Sequence, residues 1–277
     1  MRRIAAGLIV IMSVLLVSCK GKTGNTITVG SDKLDNTQSY FSESMHKAAR
    51  CDSGYYYLDK CGASADNLMF YDDKSEESIV LCNKPQCGHD GEECMAYISG
   101  SEFKSELYYY NSYIYMISSK GNLVRISADG TQRTDLGSIC VLSGQDSVSM
   151  CFNDGYAYVS QEITGDIEGN VTVRLYRFNL DTGSSDKIYE ETGYGIGINS
   201  LKTYGSDTFF LKTSVSKDDK GLYSLEGKGI FRIAGEDIEC LLDKNVYSYC
   251  IDADNNKLYY SGLGDGMIYE YDLGSGK

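Results

Sequence analysis

One pattern limits what this chain can become: short tyrosine-rich segments separated by tight polar turns, repeated every fifty or so residues. Its clearest copy runs from Glu106 to Gly137, ELYYYNSYIYMISSKGNLVRISADGTQRTDLG, and alternates strand and turn four times. Further copies are GYYYLDK from Gly54, CFNDGYAYVS from Cys151 leading to RLYRFNLDTGSSDKIYE, YGSDTFFLKT from Tyr204 leading to KGIFRIAGEDIECLL, and DNNKLYYSG from Asp254 leading to MIYEYDLGSGK. Aligned at Tyr57, Tyr115, Tyr158, Leu211 and Tyr260, they are spaced by 58, 43, 53 and 49 residues.

Periods of roughly 40–50 residues with four strands each mark the blades of a β-propeller. A blade's inner strands are covered on both faces by its neighbours, which accounts for the uninterrupted Tyr108-Tyr109-Tyr110. Outer strands should alternate, with Leu123, Arg125 and Ser127 on one side and Val124, Ile126 and Ala128 on the other. Thirty glycines with one proline, Pro85, suit a chain of hairpins, and only Ser42 to Arg50 has helical composition. The expectation is an all-β chain, a propeller of about five four-stranded blades over residues 51–277, with a pair of β-sandwiches as the alternative. The last copy is incomplete at Lys277. Either the N-terminal segment supplies its fourth strand and closes the ring, or the sequence is a truncated longer propeller, towards which the reading leans. An open ring would leave an unpaired edge.

The N-terminus has a different logic. Met1-Arg2-Arg3 is a cationic patch, followed by an uncharged run from Ile4 to Ser18. That run is shorter than the roughly twenty residues of a membrane-spanning helix and has the layout of an export signal. It ends in Leu16-Val17-Ser18-Cys19, which resembles the lipobox of bacterial lipoproteins, in which the cysteine is acylated and becomes the first mature residue. The expected organisation is a signal peptide at 1–18, lipidated Cys19 with a polar tether through residue 50, and a propeller from 51. The expected location is the extracytoplasmic side of a cell membrane, held by lipid. Cleavage leaves 259 residues, and the net charge of −13 becomes about −15 without Arg2 and Arg3. So acidic a chain repels phosphate backbones, which excludes nucleic acid as a partner.

Ten cysteines fit an exported protein that can form disulfides. Cys140 and Cys240 fall late in their repeats and Cys151 and Cys250 open the next, so matching positions suggest Cys140–Cys151 and Cys240–Cys250 bridges between adjacent blades. A Cys51–Cys61 bridge would then leave three cysteines of the nine that remain after lipidation. Alternatively, Cys51 pairs with a blade absent from this sequence. The remaining three, Cys82, Cys87 and Cys94, lie with His89 inside LCNKPQCGHDGEECMAYI. Three thiolates and an imidazole form a tetrahedral zinc set. The usual zinc knuckle begins with a closer cysteine pair, and export in unfolded form favours oxidation. A disulfide-stapled loop is therefore expected here, with structural zinc as the alternative and no other cofactor.

The lipobox, the tyrosine-rich blades with Asp-Gly turns, and the cysteine segment from Leu81 to Ile98 together resemble propeller lipoproteins of anaerobic Gram-positive bacteria, a domain of unknown function similar to receptor-type or TolB-like propellers. The resemblance covers residues 50–277 and implies a fold and an address, with no activity attached.

Catalytic chemistry has little to work with. The two histidines, His46 in the tether and His89 among cysteines, offer no Ser-His-Asp arrangement. No phosphate-binding glycine loop is present. A glycoside hydrolase needs only two carboxylates, and Asp154, Glu162, Asp207 and Asp252 are available, although such residues are expected in turns and the chain has no tryptophan to stack on sugars. Asp252 to Asn256 lacks the sixth-position glycine and twelfth-position glutamate of a calcium loop and reads as a hairpin turn. The expected role is thus a surface-anchored, non-catalytic propeller that binds a protein or glycan at the channel mouth or across one face. A cell-envelope glycoside hydrolase and a purely structural or assembly lipoprotein are the alternatives. Replacing Cys19→Ser should abolish acylation and leave an unprocessed or unlipidated precursor; processed protein that still enters the detergent phase on phase partitioning would refute the lipobox.

Overall fold

Each repeat folds into one antiparallel sheet. The computed structural model describes residues 48–100, 102–103, 107–165, 169–235 and 237–277. Among them there is no helix. Cys19, His46 and most of the expected tether lie outside the described residues. The first sheet holds β1 (Ala48–Cys51), β2 (Gly54–Lys60), β3 (Ala65–Asp72) and β4 (Glu77–Val80), with β5 (Tyr97–Ser99) also on β3. The second holds β6 (Tyr108–Tyr110), β7 (Tyr113–Ile117), β8 (Asn122–Ser127) and β9 (Arg133–Ser138), and the third β10 (Ser147–Asn153), β11 (Tyr156–Thr164), β12 (Asn170–Asn179) and β13 (Ser185–Tyr194). The fourth holds β14 (Gly197–Tyr204), β15 (Asp207–Lys217), β16 (Tyr223–Ala234) and β17 (Asp237–Leu242), and the fifth β18 (Val246–Asp252), β19 (Lys257–Gly262) and β20 (Ile268–Asp272).

The first strands touch in succession, β1 on β6, β6 on β10, β10 on β14 and β14 on β18, so they are the innermost strands of five blades. The fold is a β-propeller. Tyr57, Tyr115, Tyr158, Leu211 and Tyr260 all fall on second strands, so the repeat alignment holds in space. Ala48 to Arg50 forms strand by pairing with Tyr55 to Tyr57, and the first blade therefore begins slightly before Cys51.

Four apolar layers lie between successive blades. Tyr108 and Tyr110 point into the layer against the third blade and Tyr109 into the layer against the first, so the run of three tyrosines serves both faces. β8 alternates as expected, but apolar layers cover both its faces: Leu123 fills one layer and Ile126 the other, because a third strand still has a blade on each side. One-sidedness appears on fourth strands such as β13, where Ile188 and Tyr189 pack inward while Lys187 and Glu190 are exposed. Phe152 shows what a layer contains. It is 1% exposed, stacks on Tyr110 with ring centres 5.0 Å apart, and meets Tyr115 at 4.6 Å.

Tight turns join the outer strands. Between β12 and β13, Asn179 Oδ1 accepts the N–H groups of Asp181 and Thr182 at 2.9 Å, and Gly183 takes a positive φ of 71° that a side chain would strain. The turn after β20 has the same form: Asp272 Oδ1 accepts Ser275 N–H at 2.7 Å, and Gly276 has φ 70°. The fifth sheet has three strands, and no described residue occupies the fourth position beside β20. Residues 1–47, offered as one of the two ways to complete the last blade, lie outside the described residues.

Phe152→Ala would empty a fully buried, aromatic-lined site. It should cost about 3–5 kcal/mol of unfolding free energy, read as a lower urea midpoint.

Candidate functional site

The 58-residue spacing between the first two repeats comes from the long connection between β4 and β6. Leu81 N–H donates to Leu68 O, and Leu68 N–H donates to Ala96 O, so the chain leaves β4 and returns as β5 along the same edge of β3. Between these points it makes turns at Lys84 to Cys87 and Gly91 to Cys94, each closed by a backbone hydrogen bond. Gln86 and His89 are held in the left-handed region at φ 58° and 57°. For non-glycine residues this costs about 1–3 kcal/mol each and persists only where the surroundings enforce it.

This excursion gathers Cys82, Cys87, His89 and Cys94, whose ligand atoms all lie within 4.8 Å of one another. His89 Nδ1 is 3.3 Å from Cys94 Sγ. Cys94 is buried, and Cys82 and Cys87 pack against the layer between the first and second blades. Burial pushes the Cys94 thiol up to about 12, although Ala96 N–H opposes it. Burial also works against the Cys82 thiolate, but the N–H groups of Lys84 and Met95 and the Cys94 and Cys87 thiols stabilise it and hold its pKa below the ordinary thiol value. The group could hold a metal ion, and Cys₃His is a tetrahedral zinc set. Cys82, Cys87 and Cys94 stand as three separate thiols within reach of one another.

The other expected bridges join positions that the fold sets apart, and the nine described cysteines are thiols. Cys51 sits opposite Gly54 at the start of β2, while Cys61 follows its end. The seven residues of β2 separate them by roughly 23 Å, against the 7 Å limit between the Cα atoms of a disulfide. Cys140 packs into the layer between the second and third blades, and Cys151 into the layer between the third and fourth, on the opposite face of the third blade. Cys240 lies on an outermost strand packed towards the third blade, whereas Cys250 is exposed on an innermost strand. Matching places in the repeat were matching places in the blade, but outermost and innermost strands are at opposite radial ends of it.

A second feature was not read from the sequence. Strands β11, β13, β15, β17 and β19 all finish at one end of the propeller, and every exposed large apolar side chain among the described residues except Ile79 gathers there. Val141 lies in the β9–β10 connection, Tyr194 ends β13, Leu222, Tyr223 and Leu225 occupy the start of the β15–β16 return, and Tyr247, Met267 and Ile268 belong to the fifth blade. Their exposure is built in. The Val141 loop is anchored by fully buried Gln161, whose Nε2 donates to Val141 O at 3.0 Å and to Asp146 Oδ2 at 2.7 Å, while its Oε1 accepts the Tyr176 hydroxyl at 3.1 Å. Tyr194 and Tyr223 stack across two blades with ring centres 5.9 Å apart, and Lys217 Nζ lies 5.2 Å from the Tyr223 ring. Tyr247, Leu263, Met267 and Ile268 line a shallow concavity of about 490 Å³.

The candidate carboxylates lie at both ends of the propeller, Glu162 at one and Asp154, Asp207 and Asp252 at the other. Glu162 lies near the apolar end of β11, where burial raises its pKa and Ile198 N–H binds its Oε1 at 3.1 Å. Asp154, in the turn before β11, is about 20 Å away along that strand, beyond the 5–9.5 Å that paired glycosidase carboxylates require. Asp207 is engaged by Arg232 at 2.8 Å. Asp252 Oδ1 accepts Asn255 N–H at 3.1 Å in the β18–β19 turn, the hairpin expected there.

No protein-family model matches the chain, and no curated protein matches it. Among solved structures it is similar to a puromycin hydrolase, with a TM-score of 0.50 and 11% identity, over 84% of this chain and 38% of that one. It is also similar to an oligogalacturonate lyase in complex with manganese (TM-score 0.40, 10% identity, 74% of this chain and 53% of that one) and to BamB from Moraxella catarrhalis (TM-score 0.30, 13% identity, 80% and 68%). The chain thus spans about half the length of the lyase. The likeness is one of fold.

Burial pushes Cys140 up to about 11 and Cys151 up to about 12, whereas Cys61 and Cys250 are exposed. Since the thiolate is the reactive form, iodoacetamide at about pH 8 should label Cys61 and Cys250 in the folded protein and reach Cys140 and Cys151 only after unfolding. Peptide mass spectrometry reads the outcome, and a cross-linked Cys140–Cys151 or Cys240–Cys250 peptide would contradict this arrangement.

Proposed function

We propose that this chain is an extracytoplasmic protein anchored through lipid on Cys19, and that its propeller is a non-catalytic module binding a protein partner at its apolar end. The observation carrying this reading is the concentration of exposed Tyr, Leu, Met and Ile side chains at that one end. Soluble proteins rarely leave large contiguous apolar patches in water, and such patches mark interaction sites. Aromatic residues and methionine are enriched in protein interfaces, and the aliphatic share here, with Leu222, Leu225, Met267 and Ile268, suits a protein surface better than a glycan. Asp207 is held by Arg232 and Asp252 by its own turn, which weighs against a glycoside hydrolase. The acidic charge adds selection, favouring basic or neutral partners over anionic ones.

The test places a photo-crosslinking residue either at Leu225, in the apolar end, or at Asn111, in the β6–β7 turn at the opposite end. A discrete cross-linked protein is expected from Leu225 alone. Adding Leu222→Ser, Tyr223→Ala and Ile268→Ser together should reduce its yield at least about tenfold, as loss of interface anchors does. Equal capture from both ends, or none from Leu225, would overturn the reading.

A further inference from the structure

We propose that Cys82, Cys87, His89 and Cys94 bind one zinc ion in a closed tetrahedral site that locks the connection between the first and second blades. The four donor atoms already lie within 4.8 Å of one another. Zinc bonds of about 2.3 Å to sulfur and 2.0–2.1 Å to nitrogen set donor atoms roughly 3.5–3.8 Å apart in a tetrahedron, so closure needs only a small contraction by side-chain rotation. His89 Nδ1 and Cys94 Sγ, at 3.3 Å, are already at that range.

Three further features favour metal over a disulfide. The set contains three thiols and one imidazole, and a disulfide would consume two and strand the third thiol beside His89; a single zinc ion uses all four. The N–H groups of Lys84 and Met95 point at Cys82, and Ala96 N–H points at Cys94. Such donors orient thiolate ligands and offset their charge. Finally, Gln86 and His89 are held in left-handed backbone that brings Cys87 and His89 towards Cys82 and Cys94, a conformation needing an enforcing contact in a segment whose Cys87 and His89 are only partly buried.

With four protein ligands the ion has no open position, so its role is structural. It would fasten the excursion between β4 and β5 to the seam of the first two blades, where Cys94, Ala96 and Ile98 pack with Ile114, Met116 and Ile126. The seam, more than the remaining blades, should depend on the metal.

The mature full-length chain, purified in detergent without chelator, should contain about one zinc per molecule by elemental analysis. After chelation it should take up cobalt with the thiolate charge-transfer and visible bands of a tetrahedral site. Cys87→Ser and His89→Ala should weaken metal binding at least about tenfold, while Cys250→Ser, outside the cluster, should bind as the parent does. Hydrogen exchange supplies a readout independent of the variants' folding: zinc removal from the parent should accelerate exchange across 81–100 while leaving β14 to β17 protected. The proposal is overturned by less than about one-tenth equivalent of zinc together with a mapped disulfide inside the segment, by octahedral cobalt spectra, or by full zinc retention in both cluster variants.

Discussion

The molecule depends on burying both faces of each inner sheet against a neighbour. A single antiparallel sheet can leave one face in water, but here Ile114 and Met116 of β7 look into one layer while Tyr115 and Ile117 of the same strand look into the next. Every inner residue therefore contributes to one inter-blade contact or another, and removing a blade would expose apolar surface on two sheets. Tyrosine suits this arrangement. Its ring fills the layer, and its hydroxyl reaches the backbone of the next blade: Tyr56 donates to Ala128 O at 3.2 Å and Tyr249 to Ser200 O at 2.7 Å, while Tyr108 accepts Met150 N–H at 3.1 Å. A buried aromatic with a polar tip satisfies turns and strand ends that an all-phenylalanine layer would leave without partners. The 24 tyrosines against 8 phenylalanines follow from that need.

The same layering decides where polarity is allowed. On the far face of the fifth blade the cross-strand pairs are polar: the Ser248 and Ser261 hydroxyls are 2.8 Å apart, and Lys257 Nζ lies 2.6 Å from Glu270 Oε1. No described apolar layer covers this face. Fourth strands, at the outer rim, likewise carry ion pairs such as Arg174 with Glu190 at 2.6 Å. Such exposed pairs contribute at most about 1 kcal/mol, so they tune the rim without holding the blades together.

How much of this could be read from the chain follows from what sequence spacing encodes. The second-strand register was legible because Tyr57, Tyr115, Tyr158 and Tyr260 follow the hairpin turn at nearly the same distance, two or three residues into the strand, and turn chemistry is local. The cysteine partners were not, because Cys140 and Cys151 are close in sequence yet separated by the thickness of a sheet, and nothing local reports which face a residue takes. The apolar end was also hidden. Leu222 and Tyr223 read as ordinary strand residues until the lengths of β15 and β16 show that they lie at the projecting end of a hairpin, beside Tyr194 from another blade. The cysteine cluster fell between these cases: its composition was plain, and its geometry required the fold.

That cluster answers a weakness in the layering itself. Connections between later blades are short, as with Gly195 and Ile196 between β13 and β14, and leave the incoming strand little freedom. The first connection is long, and its strand among the described residues, β5, pairs with three residues of β3, Ala65 to Asn67. That ladder is short, and it is continued at its two ends by Leu68 N–H to Ala96 O and Gly100 N–H to Ser64 O, each at 2.7 Å. Yet Ile98 on β5 and Ala96 just before it help to fill the layer between the first two blades. Flanking contacts add to the ladder: Arg133 Nη1 donates to Tyr97 O at 2.9 Å, Ser119 N–H donates to Glu102 O at 2.6 Å, and on the loop side the side chains of Cys82, Cys87, His89 and Cys94 are gathered. A segment that closes a core layer on a short ladder is one where an added local constraint has the most effect. The four clustered donors stand where such a constraint would act.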